Sequence, residues 1–196
     1  MNMATKIVSA EFLKGLRGSD ETLSDGIPQI AFIGRSNVGK SSILNALTGV
    51  KKLARVGDKP GKTTEINIFF INKTHYFVDL PGYGYAAAGV QDREKLRKLI
   101  IWYFTSDEAH PLLTVLILDS KAGLTRFDQE MIKMLKEKGR PYMIVLNKVD
   151  KLSQKDLAAQ LIKVKELAET NDILQTSTES GKGIDALRDR IMETVV

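Results

Sequence analysis

The fold is decided by the stretch Gln29-Ile30-Ala31-Phe32-Ile33-Gly34-Arg35-Ser36-Asn37-Val38-Gly39-Lys40-Ser41-Ser42-Ile43-Leu44. Gln29 to Ile33 is a short apolar run that reads as a buried strand, and Ile43, Leu44 and Leu47 fall on one face of a helix. Between them lies G-x-x-x-x-G-K-[ST], the phosphate-cradling pattern in its strand, loop, helix setting. The glycines let backbone N–H groups turn inward around a phosphate, and the helix N-terminus adds partial positive charge. Lys40 supplies a mobile cation for the outer phosphates, and the Ser41 hydroxyl can ligate magnesium. Gly34, Arg35, Ser36, Asn37, Val38, Gly39, Lys40, Ser41 and Ser42 are therefore candidate phosphate-site residues.

Outward from this loop the chain alternates. Further strand-like runs occur at Ile66–Ile71, Thr74–Asp79, Leu112–Asp119, Tyr142–Asn147 and near Ile173. Between them stand apolar stripes at helical spacing: Leu96, Leu99, Ile100 and Tyr103; Phe127, Met131, Met134 and Leu135, with Thr125 and Asp128 placed to cap; Leu157, Leu161, Val164 and Leu167; and Ile184, Leu187 and Ile191. Strands alternating with amphipathic helices predict an α/β, three-layer fold: a mainly parallel six-stranded sheet with helices on both faces, which with the phosphate loop is a P-loop NTPase architecture. Asn72 and Lys73 alone separate two strands, so one strand must be antiparallel. Residues 1–27 are expected to form an N-terminal extension packed on a nucleotide-binding domain spanning 28–196.

Composition sets the outer limits. The 196 residues suit one domain, and a 43% hydrophobic content with only 5 prolines argues for a packed core rather than disorder. Having no cysteine, the chain can build no disulfide, thiolate zinc site or cysteine nucleophile. Its apolar runs are too short for a bilayer and no signal-peptide stretch precedes Lys14, so a cytoplasmic protein, free of membranes and expected as a monomer, is predicted. Residues 35–75 hold eight basic side chains (Arg35, Lys40, Lys51, Lys52, Arg55, Lys59, Lys62, Lys73) against two acids, so this block carries +6 of a net +5 and the rest sums to −1. Such a block suits a partner made of phosphate, or plain solvation.

Later motifs choose the nucleotide. Asp79-Leu80-Pro81-Gly82 ends an apolar strand; the Asp79 carboxylate can hold a magnesium-bound water, and the Gly82 N–H can meet a γ-phosphate oxygen. Asn147-Lys148-Val149-Asp150 ends another. A carboxylate at Asp150 can accept from both N1–H and the exocyclic amine of guanine, a donor pair that adenine lacks. Asn147 either braces the loop or meets the base edge, while the Lys148 stem is expected along the base plane with its head in solvent. Thr176-Ser177-Thr178 is placed to offer backbone N–H groups to the guanine O6. Order and spacing point to GTP and GDP as ligands and make the expected fold a P-loop NTPase G domain.

With Lys59-Pro60-Gly61-Lys62-Thr63 and Asp79-Leu80-Pro81-Gly82-Tyr83-Gly84-Tyr85-Ala86 added to the loop motif, the chain resembles the EngB (YihA/YsxC) family of bacterial GTPases, within the TrmE-Era-EngA-EngB-Septin-like superfamily. The resemblance implies that Thr63 joins Ser41 on Mg2+ and that Gly61, Lys62, Thr63, Thr64 and Glu65 contact the nucleotide, as do the Asp79, Asn147 and Thr176 segments. It also implies action in assembly of the large ribosomal subunit through rRNA, with a link to cell division and septation.

Tyr83 stands where Ras-like GTPases place a water-orienting glutamine, and a phenol cannot orient that water as an amide does. Slow intrinsic hydrolysis follows, with Lys40 and Thr63 as transition-state and metal support, and stimulation by a partner or by K+, for which Asn37 is the candidate ligand. Arg55 is either a cis arginine finger or a solvated loop cation. No aromatic-rich RNA motif or DNA-reading element is present, so shape and backbone contact would govern RNA binding. The alternative reading is a P-loop enzyme phosphorylating a small substrate, which would need a lid with catalytic arginines.

Overall fold

The computed structural model describes residues 6–54, 65–84 and 89–195. Among these residues seven strands form: β1 (Ala10–Leu16), β2 (Gln29–Gly34), β3 (Ile66–Ile71), β4 (His75–Asp79), β5 (Leu113–Asp119), β6 (Tyr142–Asn147) and β7 (Ile173–Gln175). The helices are α1 (Lys40–Thr48), α2 (Val90–Thr105), α3 (Arg126–Glu137), α4 (Gln154–Ala168) and α5 (Ile184–Thr194). Among the described residues no helix is long and apolar enough to cross a membrane.

The strands lie in the order β1-β3-β4-β2-β5-β6-β7. β3 runs antiparallel to both its neighbours, and the remaining pairs are parallel. The tight turn reverses the chain because Asn72 and Lys73 both take positive φ, 50° and 56°, the geometry a two-residue hairpin needs. The sheet exceeds the expected six strands by one. The addition is β1, drawn from residues 1–27, which pairs with β3 from Ala10↔Ile71 to Leu16↔Ile66. Most of its side chains are exposed, so the strand is held by main-chain bonds that leave no apolar alternation in the sequence. The Asn72 side-chain carbonyl oxygen pins its start by accepting from the Val8 and Ser9 N–H groups at 2.7 and 3.1 Å.

Alternation along the central strands feeds two cores. Ala31, Ile33, Val78, Leu116, Leu118, Ile144 and Leu146 pack beneath α2, α3 and α4. Ile30, Phe32, Phe77, Val115, Ile117 and Val145 face α1 and α5. Each fully buried side chain of this size contributes about 1.5–3 kcal/mol of transfer free energy. Two stripe positions fall elsewhere: Phe127 is 49% exposed and Leu167 46%, while Ile132 and Ala168 take the buried places. Phe127 sits in the first turn of α3, where it lies toward Gly84 rather than over the sheet. The expected Thr125–Asp128 cap forms as a full capping box.

Parallel register brings the functional strand ends to one edge. Phe32 aligns with Asp79, Gly34 with Ile117, and Asp119 with Asn147. In such sheets ligands bind outside the carboxyl ends of the strands.

Candidate functional site

The loop from Gly34 to Gly39 joins β2 to α1 along a tightly constrained backbone. A Cβ at Gly34 would lie 2.5 Å from the Ile117 carbonyl oxygen, so no larger residue fits there. Gly39 has φ 95°, and a Cβ on it would lie 2.5 Å from the Asn147 amide nitrogen. Asn37 also adopts the left-handed region at φ 66°. Reversals of this kind aim successive N–H groups into a concavity suited to anions, ahead of the α1 N-terminus. Ser41 and Ser42 stand half-buried in its first turn.

Lys40 and Asp79 are both buried, and their side chains form an ion pair across the floor of the site. Phosphate and the Asp79 carboxylate are thus alternative partners for one ammonium. The Asp79 segment is stitched to the phosphate loop: Leu80 N–H donates to the Phe32 carbonyl at 3.0 Å, Ser36 N–H to the Tyr83 carbonyl at 2.9 Å and Ser36 Oγ to the Gly82 carbonyl at 3.3 Å. Pro81 is buried beside them. A Cβ at Gly82 would approach the Ser36 backbone to 3.1 Å. Tyr83 donates its hydroxyl to Asp128 Oδ1 at 2.6 Å. Burial and the neighbouring Asp128 carboxylate push its pKa well up, so the phenol stays a neutral donor. Arg35 folds against this segment, and its Nε is buried with no hydrogen-bond partner among the described residues.

At the far side Asn147, fully buried, donates Nδ2 to the Val38 carbonyl at 2.8 Å and accepts from the Thr176 hydroxyl at 3.1 Å. In this structure it braces the phosphate loop. Lys148 departs from expectation. Its ammonium does not end in solvent but donates to the Asn37 carbonyl at 2.6 Å and pairs with Asp119 at 2.9 Å. Two acceptors within reach outweigh hydration of a half-buried head.

Val149 is buried, and Asp150 projects from the short turn after Lys148. Its Oδ1 accepts from Ser177 Oγ at 2.6 Å, which holds its carboxyl below the usual range, and Lys151 lies 3.3 Å from Oδ2. The Thr176 and Ser177 N–H groups already donate to Leu146 and Lys182, both at 2.9 Å, so the backbone donor expected of this motif falls to Thr178.

Gly61, Lys62, Thr63 and Thr64 lie outside the described residues, as do Arg55, Lys59, Tyr85 and Ala86. Glu65 stands just before β3, whose Asn67 pairs with Asp79, so it lies at the site end of the sheet, and its carboxylate is 3.4 Å from Arg17. The described members of the basic block do not share one face. Lys73 sits in the turn that precedes β4, at the opposite end of that strand from Asp79, and α1 carries the chain away from the loop to exposed Lys51 and Lys52. Arg35 and Lys40 are drawn into the site instead.

The family model described as "50S ribosome-binding GTPase" matches residues 29–148. The "probable GTP-binding protein EngB" of Aquifex aeolicus strain VF5 is 40% identical over 84% of this chain and 90% of its own length. The protein of the same name from Pelodictyon phaeoclathratiforme is 44% identical over 91% of this chain and 92% of its own. The chain belongs to the EngB family of GTP-binding proteins. It is thereby a member of a GTPase family, not a small-molecule kinase. A crystal structure of a probable GTP-binding protein engB superposes with a TM-score of 0.73 at 28% identity, covering 85% of this chain and 98% of that one. The fold is shared more widely: Era in complex with MgGDPNP and a 16S ribosomal RNA fragment gives a TM-score of 0.67 at 22% identity, over 85% of this chain and 56% of Era.

Asp119 and Ser120, bonded to the base-reading loop, belong to none of the EngB-type motifs; their one signal in the sequence is a carboxylate at a strand's carboxyl end, as at Asp79.

Proposed function

We propose that this chain is a GTP-dependent switch acting in assembly of the large ribosomal subunit. The supporting observation is the match of residues 29–148 to a family described as 50S ribosome-binding. Gly34 to Ser42 would cradle the phosphates, with Lys40 leaving Asp79 to meet their charge. Asp150 would select guanine, Thr178 would supply the N–H to its O6, and Asn147 and Lys148 would hold the phosphate loop in shape. Leu80, Pro81 and Gly82 would report the γ-phosphate alongside Gly61 to Glu65.

The donors suit a small hard cation, since Ser41 and Asp79 offer oxygen only. Ser41 and Thr63 would hold Mg2+ directly and Asp79 through water; bound there, the ion neutralises phosphate charge. Residues 28–196 would form the nucleotide-binding unit. Exposed Lys51 and Lys52, with Arg55, Lys59 and Lys62, would meet RNA phosphates, releasing counterions and giving strong salt dependence. A septation defect on loss of the protein would follow from ribosome shortage.

Tyr83 hydroxyl bonding to Asp128 supports slow hydrolysis, because the side chain at the water-orienting position is already engaged. Turnover of the isolated protein is expected to be slow and faster in K+ than in Na+, with Asn37 as the ligand. Fast turnover indifferent to the cation would contradict this part. Sedimentation of ribosomal particles with protein loaded with GDP or a GTP analogue tests the partner. Co-sedimentation with the large subunit in one nucleotide state is expected, and its absence in both would refute the assembly role.

A further inference from the structure

β5 ends in Asp119-Ser120, a dipeptide belonging to neither the phosphate loop nor the base-reading loop, yet bonded to the second and, through it, to the first. Ser120 N–H donates to the Asn147 carbonyl at 2.9 Å and Ser120 Oγ to the Lys148 carbonyl at 2.8 Å. Lys148 holds φ 61°, an unfavourable region for a side chain of its size, and persists there because its carbonyl is gripped. Asp119 Oδ2 lies 2.9 Å from the Lys148 ammonium. The carboxylate is itself fixed, since Oδ1 accepts from the Lys121 and Ala122 N–H groups at 2.9 and 3.4 Å. Burial opposes its ionisation, but the Lys148 and backbone bonds outweigh that and hold its carboxyl below the usual range.

We propose that Asp119 is a positioning residue for nucleotide retention. It fixes the Lys148 ammonium against the Asn37 carbonyl, 2.6 Å away, and so holds the left-handed Asn37 turn of the phosphate loop. Lysine has no backbone constraint that would keep its flexible head on that carbonyl; a rigid anion behind it supplies one. Without the Asp119 charge the ammonium is drawn toward water, the turn loses its hold, and bound nucleotide leaves faster. Guanine selection, carried by Asp150, is unaffected. This proposal rests on the GTP-binding reading above.

The test is release of fluorescent N-methylanthraniloyl-GDP from the full chain, followed by stopped flow. Asp119→Asn keeps the shape and the acceptor for Lys121 while removing the charge. Loss of one charge-assisted bond corresponds to a roughly tenfold faster release. Lys148→Met is expected to accelerate release at least as much, and the double variant no further than Lys148→Met alone, because Asp119 acts through Lys148. Asp119→Glu, which restores the charge, is expected to release closer to wild type than to Asp119→Asn. ADP should fail to compete against every variant. Release from Asp119→Asn within about twofold of wild type, or multiplication of the two single effects in the double variant, would overturn the proposal. Equal acceleration by Glu and Asn would do the same, as would wild-type release from Lys148→Met, a result that needs neither Asp119 variant to fold. Failure of wild type to bind the fluorescent GDP would instead overturn the GTP-binding reading itself.

Discussion

The Tyr83 hydroxyl donates to Asp128 Oδ1 at 2.6 Å, and Asp128 Oδ2 accepts from the Thr125 N–H and hydroxyl at 2.7 and 2.6 Å. One buried carboxylate thus caps α3 and anchors the segment that follows Asp79. Tyr83→Phe removes one of its partners and is expected to destabilise the protein by about 1–3 kcal/mol. Denaturant unfolding measures this. GTP turnover of the same variant should stay within about twofold of wild type, since the hydroxyl is engaged away from the phosphate loop; a collapse in turnover at unchanged stability would make the phenol catalytic.

Gly39→Ala tests the close approach of the two loops. The substitution places a Cβ 2.5 Å from the Asn147 amide nitrogen and forces alanine to φ 95°. Strain of about 1–3 kcal/mol is expected, with Asn147 pushed off the Val38 carbonyl. Thermal unfolding should show the loss, and GDP affinity should fall by roughly tenfold or more.

His75 sets a pH dependence. Burial lowers its pKa from 6.5 to about 4, so the unfolded chain binds more protons between those values. Stability is then full above about pH 6.5 and declines as pH falls toward 4, by on the order of 1–3 kcal/mol. Urea unfolding across pH 7 to 4.5 should show this slope, and His75→Leu should flatten it. An unchanged slope in the variant would assign the acid sensitivity to other groups.

Arg188 on α5 donates Nε to the Leu47 carbonyl at 2.7 Å and Nη2 to the Ala46 carbonyl at 3.1 Å, closing the C-terminal end of α1. Arg188→Met keeps the stem and loses both bonds. A cost of about 1–2 kcal/mol is expected in unfolding experiments, with discrimination between GDP and ADP retained.

What the sequence disclosed follows from which interactions leave residue types behind. The phosphate loop was legible because its geometry demands glycine at Gly34 and Gly39 and a cation at Lys40. Asp150 was legible because guanine needs a carboxylate. β1 was not, since Ala10 to Leu16 join the sheet through main-chain bonds while most side chains face solvent. Leu167 and Phe127 fit the helical period, but the buried face of α4 runs from Val164 to Ala168 and not to Leu167, and in the first turn of α3 Asp128 takes the buried place beside Phe127. The Lys148 head was misplaced because its partners, Asn37 and Asp119, are 111 and 29 residues away and are brought to it only by parallel register.

The central claim, that Asp150 makes this a guanine-nucleotide site, is tested most directly by thermal stabilisation with GDP beside ADP in wild type and Asp150→Asn. GDP at about 100 times its Kd contributes ~2.7 kcal/mol and should raise the wild-type Tm by roughly 5–10 °C, while ADP leaves it unmoved. Asp150→Asn should lose the GDP shift and keep the ligand-free Tm close to wild type. Equal shifts by GDP and ADP in wild type, or an undiminished GDP shift in Asp150→Asn, would contradict the assignment.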